Sequence, residues 1–255
     1  MRDDMVPAHV TYLDEVAATR HGRDYKRRLL EALDPQPGQV ALDVGCGPGT
    51  DLAALADAVG DGGRVIGVDK DAEMLEQAVE RTRAYPWVET RLGDAHALPV
   101  PDGSVDRGRA DRVLQHLENP RQALAELRRV LRAGGVVGLA EPDWDTLVID
   151  DASPDLGRAL ATFIGARVRN RAIGHQLPRL CTSVGLQVST VDATALVLRD
   201  PATAEQVLGL RRNVVRAVRA GALPEAAADG LLERLAAGPM LACVVVWTVT
   251  ATGPW

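Results

Sequence analysis

Along the first 140 or so residues, short apolar runs alternate with stretches in which apolar side chains recur every three or four positions. Such alternation predicts a parallel sheet with helices on both faces. The spacing places strands at Val40–Val44, Val65–Val68, Trp87–Leu92, near Val105–Ala110 and at Val136–Ala140. A helix is expected from Thr50 to Val59. Asp71 then caps a second, whose apolar face is Met74, Leu75, Ala78 and Val79. Asn119 caps another, with Pro120 in its first turn and Leu124, Leu127, Val130 and Leu131 facing inward; Gly134–Gly135 ends it.

The last third reads differently. Two helical segments, about Leu156 to Val168 and His175 to Val184, lead into a strand around Leu186 to Leu198. Pro201–Thr203 opens a helix to Val218, and Pro224 opens another carrying Leu231, Leu232 and Leu235. The final strand, Cys243 to Ala251, alternates Cys, Val, Trp and Val on one side with Val, Val, Thr and Thr on the other. That period of two predicts a sheet with one face better buried. The helices around residues 203–237 therefore interrupt a terminal hairpin. Together with an N-terminal helix, Val10 to Leu33, they either cover the carboxyl edge of the sheet as a lid or pack on its outer face. The expected organisation is a single domain over residues 1–255, with lid elements at about 1–36, 142–172 and 201–238. No internal repeat or low-complexity segment is present.

The candidate chemistry concentrates at residues 40–49, Val-Ala-Leu-Asp-Val-Gly-Cys-Gly-Pro-Gly. A strand passes there into a loop with glycines at 45, 47 and 49, which let a ligand approach the main chain. The second strand ends on Asp69, as ribose recognition in a doubly wound fold requires. Both features point to a nucleoside at the strand-to-helix turn. A dinucleotide fingerprint needs a small residue at position 50, where this chain has Thr50. Asp43 would also face a pyrophosphate unfavourably, and suits a ligand with a cationic amino acid end.

The run Asp43-x-Gly45-x-Gly47-x-Gly49 resembles motif I of class I S-adenosylmethionine (SAM)-dependent methyltransferases. Gly93-Asp94-Ala95-His96-Ala-Leu-Pro99, followed by Asp102-Gly-Ser-Val-Asp106, resembles the acid-bearing loop and fourth-strand entry of the small-molecule members. Val113–Pro120 and Arg132–Gly135 match as well, in the manner of ubiquinone-biosynthesis and antibiotic-tailoring enzymes. The resemblance covers about residues 25–145 and is specific for the cofactor rather than the substrate. It implies an α/β, doubly wound, Rossmann-like sheet of seven strands, mostly parallel with an antiparallel last strand, and a helical lid. It also implies methyl transfer from SAM to a small-molecule acceptor, a biosynthetic or secondary metabolite, leaving S-adenosylhomocysteine.

On that resemblance the cofactor contacts are Asp43, Gly45, Cys46, Gly47, Gly49, Asp69, Lys70, Met74, Asp94, Ala95 and Ala110. Asp94 is the residue implied at the adenine amino group. Met74 either packs on the adenine or is ordinary helix burial. Cys46 reads as a small filler of the loop rather than a nucleophile.

His116 is the candidate catalytic base, because a neutral imidazole near pH 7 accepts a proton from a hydroxyl or amine during methyl transfer. The neighbouring Gln115 can only orient a substrate. Trp144, Tyr12, Tyr25 and Phe163 are expected to wall the substrate pocket, since aromatics are few in this chain and favoured in pockets. His96 and His175 are weaker candidates. Glu141, Asp143 and Asp145 have the spacing of a carboxylate metal site with Asp111, but three acids in one loop more often make a solvated turn, and no metal is expected. Arg107 and Arg109 interrupt the fourth strand and require carboxylate partners or an exit to solvent. Either that strand is displaced, or one arginine reaches the active-site edge to hold an anionic substrate or the SAM carboxylate.

Composition narrows the partners. A net charge of -6 argues against a sequence-independent hold on nucleic acid, and the element expected of nucleic-acid amine methylases is absent after the fourth strand, where Asp111-Arg-Val-Leu114 stands. Hydrophobic residues at 46% and charged residues at 25% are ordinary for a globular chain. Arginine nearly replaces lysine, leaving only Lys26 and Lys70, a codon-bias signature of a GC-rich bacterial genome. The three cysteines form no Cys-x-x-Cys pair, as in a reducing cytoplasm. No signal-peptide core and no apolar run of spanning length is present, so a cytoplasmic protein without a membrane partner is expected. A homodimer through the N-terminal helix is left open. The rival functions are a SAM-binding relative with a cyclase-like or regulatory role, and an NAD-dependent oxidoreductase disfavoured by Thr50 and Asp43.

Overall fold

The computed structural model describes residues 19–253. Of the expected N-terminal helix, the described part is α1, Arg20–Leu33; Tyr12 lies outside the described residues. Thr19 caps α1 by accepting from the amide of Gly22 at 2.9 Å. Tyr25, Leu29 and Leu33, spaced by one helical turn, are buried.

The parallel half follows as β1 (Val40–Val44), α2 (Leu52–Val59), β2 (Arg64–Asp69), α3 (Ala72–Arg81), β3 (Val88–Leu92), β4 (Val105–Asp111), α4 (Pro120–Val130) and β5 (Leu131–Ile149). Then come α5 (Pro154–Ala166), α6 (Ile173–Ser183), β6 (Gln187–Leu198), α7 (Pro201–Leu208), α8 (Leu210–Arg219), α9 (Glu225–Ala237) and β7 (Ala242–Thr252). The seven strands form one sheet in the order β3-β2-β1-β4-β5-β7-β6. Pairs among β1 to β5 are parallel, and β7 runs antiparallel to both of its neighbours. The strand order reverses at β1 and β4, the crevice where open α/β sheets bind ligands.

Several elements depart from expectation for identifiable reasons. β5 begins at Leu131 and runs to Ile149, well beyond Val136–Ala140. Its pairing with β4 jumps from Leu131 to Val136, so Gly134–Gly135 lies in a bulge within the strand. Glu141, Pro142 and Asp143 are not a turn: they pair with Trp247, Val246 and Val245 of β7. The segment from 142 therefore starts as sheet. The helix expected through Val218 is two helices, because Gly209 at φ 56 leaves the helical region between α7 and α8. On α3, Met74, Leu75 and Ala78 are buried but Val79 is exposed, which narrows its apolar face to three residues.

In β7 the better-covered face is Val244, Val246 and Thr248, under α1 and the C-terminal helices. A second core joins β1, β2, β4 and β5 to α4 and α6, and a third packs α2 and α3 on β1 and β2. Helices thus cover both faces, and the carboxyl ends of β1, β2 and β4 stay clear for chemistry. Among the described residues no helix is long and apolar enough to cross a membrane.

Candidate active site

The carboxyl ends of β1, β2 and β4 enclose a cavity of about 290 Å³. Its floor is the glycine loop. Gly45 sits at φ 68, and a Cβ there would run into Cγ2 of Val113, so only glycine lets the loop after β1 lie against the loop after β4. The amides of Gly45 and Cys46 donate to the carbonyl of Val68 at 2.7 and 3.1 Å, and the amide of Gly49 donates to the carbonyl of Cys46 at 3.0 Å. The Gly47 amide donates to Oδ2 of Asp69 at 2.8 Å. These four donors are committed within the protein, unlike the loop amides that cradle a pyrophosphate.

Gly45, Gly47, Asp69, Lys70 and Met74 line this cavity, as do Asp94, Ala95 and His116. Asp69 also accepts from the amide of Asp71 at 3.0 Å, so backbone on either side fixes its carboxylate. Asp94 sits on the opposite wall, where Oδ1 accepts from the His96 amide at 2.8 Å and lies 2.6 Å from His96 Nδ1. His96 is thereby a structural clamp, with Nε2 accepting from the Asn119 amide at 3.2 Å.

Four expected cofactor contacts lie behind the wall instead. Cys46 is buried and inert: burial first, then Asp43 and Asp69, push its thiol pKa up. Gly49 packs against Ala78 of α3, and Ala110 is core. Asp43 is 3% exposed, with Oδ1 3.3 Å from Nε of Arg109.

Arg109 resolves the question of the fourth strand. β4 is in register with β1, placing Arg109 beside Asp43, and its guanidinium also reaches Asp51 and Asp111 at 3.0 Å each. Lys26 of α1 bonds the same two carboxylates. Arg107 turns to the edge and donates to the carbonyls of Asp34 and Asp106. Neither arginine lines the cavity. Within the cluster, burial opposes ionisation of Asp111, but Lys26, Arg112 and Arg109 outweigh it and hold its pKa far below the carboxylate range. Asp43 has weaker compensation, and burial raises it to about 7 against the pull of Arg109.

Asp111, rather than Asp43, is among the lining residues, with its carboxylate held by Lys26, Arg109 and Tyr25. Its place at the end of β4 repeats that of Asp69 at the end of β2, a signal readable in the sequence. Tyr25, expected in the substrate pocket, is 1% exposed in the core, and its hydroxyl donates to Oδ1 of Asp111 at 3.1 Å. It positions a wall residue instead. Arg112, next in sequence, sits at φ 59, rare for a side-chain-bearing residue. No local sequence signal announces that conformation.

His116 closes a short 3-10 turn, Leu114–His116, and is exposed at the cavity rim. Burial by surrounding protein, then Arg112 and Lys70, lower its pKa, so it is neutral at pH 7. Glu141 braces this turn from β5: Oε1 accepts from the amides of Val113 at 2.8 Å and Leu114. It is fully buried, and burial raises its pKa to about 8 despite those bonds. Asp143 binds His175 Nδ1 at 2.6 Å, and Asp145 pairs with Arg171 at 2.9 Å. The three acids are thus individually committed, not a solvated loop. Among the described residues no group of three His, Cys, Asp or Glu side chains is placed to hold a metal.

A second cavity, of about 270 Å³, adjoins the first and shares Arg112 and His116 with it. Gln115 and Trp144 line it, and Trp144 Nε1 donates to Oε1 of Gln115 at 2.8 Å. Phe163 does not line it; its ring lies under the guanidinium of Arg167 at 5.7 Å.

Residues 42–139 match the family described as a methyltransferase domain. Over 250 residues the chain is 52% identical to the uncharacterized 37.1 kDa protein of transposon TN4556 from Streptomyces fradiae, covering 98% of this chain and 72% of that protein. It is 34% identical over 137 residues to the demethylmenaquinone methyltransferase of Staphylococcus aureus strain MRSA252, covering 54% of this chain and 57% of that enzyme. A SAM-dependent methyltransferase from Aquifex aeolicus shares the fold, with a TM-score of 0.58 at 16% identity, over 96% of this chain and 98% of that one. Residues 42–139 are thus a methyltransferase domain, and the chain shares the fold of SAM-dependent methyltransferases.

Proposed function

We propose that the protein transfers a methyl group from SAM to a small-molecule acceptor seated in the second cavity. The observation that carries this reading is the position of His116 on the walls of both cavities, between the crevice at the switch point and a separate pocket. The residues present fit SAM. The loop amides are spent internally, and four acids, Asp69, Asp71, Asp94 and Asp111, line the cavity against two cations, Lys70 and Arg112, a balance that suits a cationic ligand without phosphate. On this reading Asp69 takes the ribose hydroxyls, Asp94 the adenine amino group, and Met74 the base.

SAM supplies a methyl carbon made electrophilic by its sulfonium. The chain contributes position and proton transfer. Gly45 and Gly47 let the cofactor approach the backbone, and Gln115 and Trp144 orient the acceptor. Holding the reacting atoms about 3–3.5 Å apart is the main catalytic contribution. His116, neutral at pH 7, accepts the acceptor's proton where the nucleophile is a hydroxyl or amine.

Of the expected lid segments, those at about 150–172 and 201–238 act as the lid, and the supporting observation is that Ile164 of α5 and Asn213 of α8 line the acceptor cavity. Such cover excludes water from the transfer. We place the enzyme in the cytoplasm, with a biosynthetic or secondary metabolite as acceptor.

The test is incubation with methyl-labelled SAM and a low-molecular-mass metabolite extract. Label is expected in the small-molecule fraction and lost with His116→Ala. Label in added protein or nucleic acid, or none anywhere, overturns the reading.

A further inference from the structure

The second cavity has an unusual charge for this protein. Arg112 from the loop after β4, Arg167 from the end of α5, and Arg212 and Arg216 from α8 all line it. No carboxylate is among its described lining residues, although acidic residues outnumber Lys and Arg by 35 to 29 in the chain. Elsewhere Arg109, Arg129, Arg132, Arg171 and Arg234 each meet a carboxylate, and Arg107 is held by backbone carbonyls. Among the described residues, Arg167, Arg212 and Arg216 make no ion pair.

Two features show that this arrangement carries a cost. Arg212 and Arg216 are one turn apart on α8, and like charges at that spacing destabilise a helix. Arg112 reaches its place with φ at 59, a conformation unfavourable for a residue with a Cβ. An anion among the guanidiniums offsets the mutual repulsion, and arginine's planar fork recognises carboxylate and phosphate by paired hydrogen bonds. The rest of the lining sets the apolar Trp144, Ile164, Val168, Val207 and Leu208 beside the uncharged polar Gln115, His116 and Asn213.

Resting on the function proposed above, we infer that the acceptor is an amphipathic anion, with a carboxylate or phosphate head among Arg167, Arg212 and Arg216 and an apolar body against Trp144 and Ile164, Arg112 being paired with Asp111 at 3.7 Å on the cofactor side. His116 lies on the cofactor side of that site, so anchoring the head presents another part of the molecule to the methyl donor.

The test titrates octanoate, octyl phosphate and octan-1-ol into the full chain by calorimetry, with and without saturating S-adenosylhomocysteine. The anions are expected to bind at least tenfold more tightly than the alcohol, and the tighter of the two names the head group. Arg212→Gln with Arg216→Gln should lower anion affinity at least tenfold, with the thermal midpoint held or raised by relief of the like-charge pair and S-adenosylhomocysteine affinity unchanged. Equal binding of alcohol and anions, no anion binding, or anion binding untouched by the double substitution overturns the inference. Anion binding without any S-adenosylhomocysteine binding overturns the cofactor reading alone. The reverse overturns only the acceptor class.

Discussion

Nε of Arg109 lies 3.3 Å from Oδ1 of Asp43, and both side chains are buried. The acid of the glycine motif therefore does not face the ligand; it anchors β1 to β4 directly behind the loop that does. Through Asp51, Asp111, Lys26 and Tyr25 the same cluster ties α1 and the start of α2 to the cavity wall.

Removing the cation at the centre leaves buried carboxylates without compensation, which costs about 3–5 kcal/mol. Arg109→Met should lower the urea midpoint accordingly. Adding Asp51→Asn should recover part of the loss, because one of the stranded charges is gone. Equal destabilisation in the single and double variants contradicts the pairing.

The glycine loop makes a sharper prediction. Gly45 and Gly60 both have positive φ, 68 and 65, but a side chain at Gly45 meets Val113 while one at Gly60 meets open space. Either substitution by alanine carries the backbone cost of about 1–2 kcal/mol. Only Gly45→Ala should also displace the loop from Val113 and weaken S-adenosylhomocysteine binding, by about tenfold or more for each 1.4 kcal/mol transmitted to the site. Calorimetry on both variants separates the two effects.

Glu141 gives the protein a pH signature. Its folded pKa, about 8, is above the ordinary glutamate value, so the folded state holds a proton that the unfolded chain releases. That contribution is complete below the unfolded pKa of about 4.3 and is lost as pH rises through about 8. Asp43, raised to about 7, acts in the same direction. Stability should therefore fall between about pH 5 and 8, by at most about 1.4 kcal/mol per pH unit for each group. Glu141→Gln should flatten its share of the slope in chemical denaturation at several pH values. An unchanged slope counts against a protonated Glu141.

For His116 the prediction is kinetic. A base held neutral by a lowered pKa places the acid limb of the rate profile below about pH 6.5. His116→Ala should reduce kcat about 10²–10⁴-fold and remove that limb. A variant with the wild-type profile would leave His116 as a wall residue only.

Much of this was legible from local pattern. Asp69 and Asp71 show why: one ends a strand, the other caps the next helix, and both jobs are fixed by neighbours within a few residues. The strand at Glu141–Asp145 was not legible, because its pairing partner is β7, about a hundred residues away, and acids followed by proline read as a turn. The partners of Arg109 were equally hidden, since Asp51 and Lys26 meet it only when α1 and α2 close over β4. Arg112 is the extreme case, its role set by a left-handed backbone that nothing in Asp111-Arg-Val113 foretells.

The claim beneath all of these is that the crevice bordered by Gly45, Asp69 and Asp111 holds the cofactor. Titrating S-adenosylhomocysteine into the purified chain by calorimetry tests it most directly. Saturable one-to-one binding is predicted, weakened at least tenfold by Asp69→Ala and untouched by Asp145→Ala, whose carboxylate pairs with Arg171 outside the crevice. Absence of saturable heat, or equal affinity in the two variants, contradicts the account.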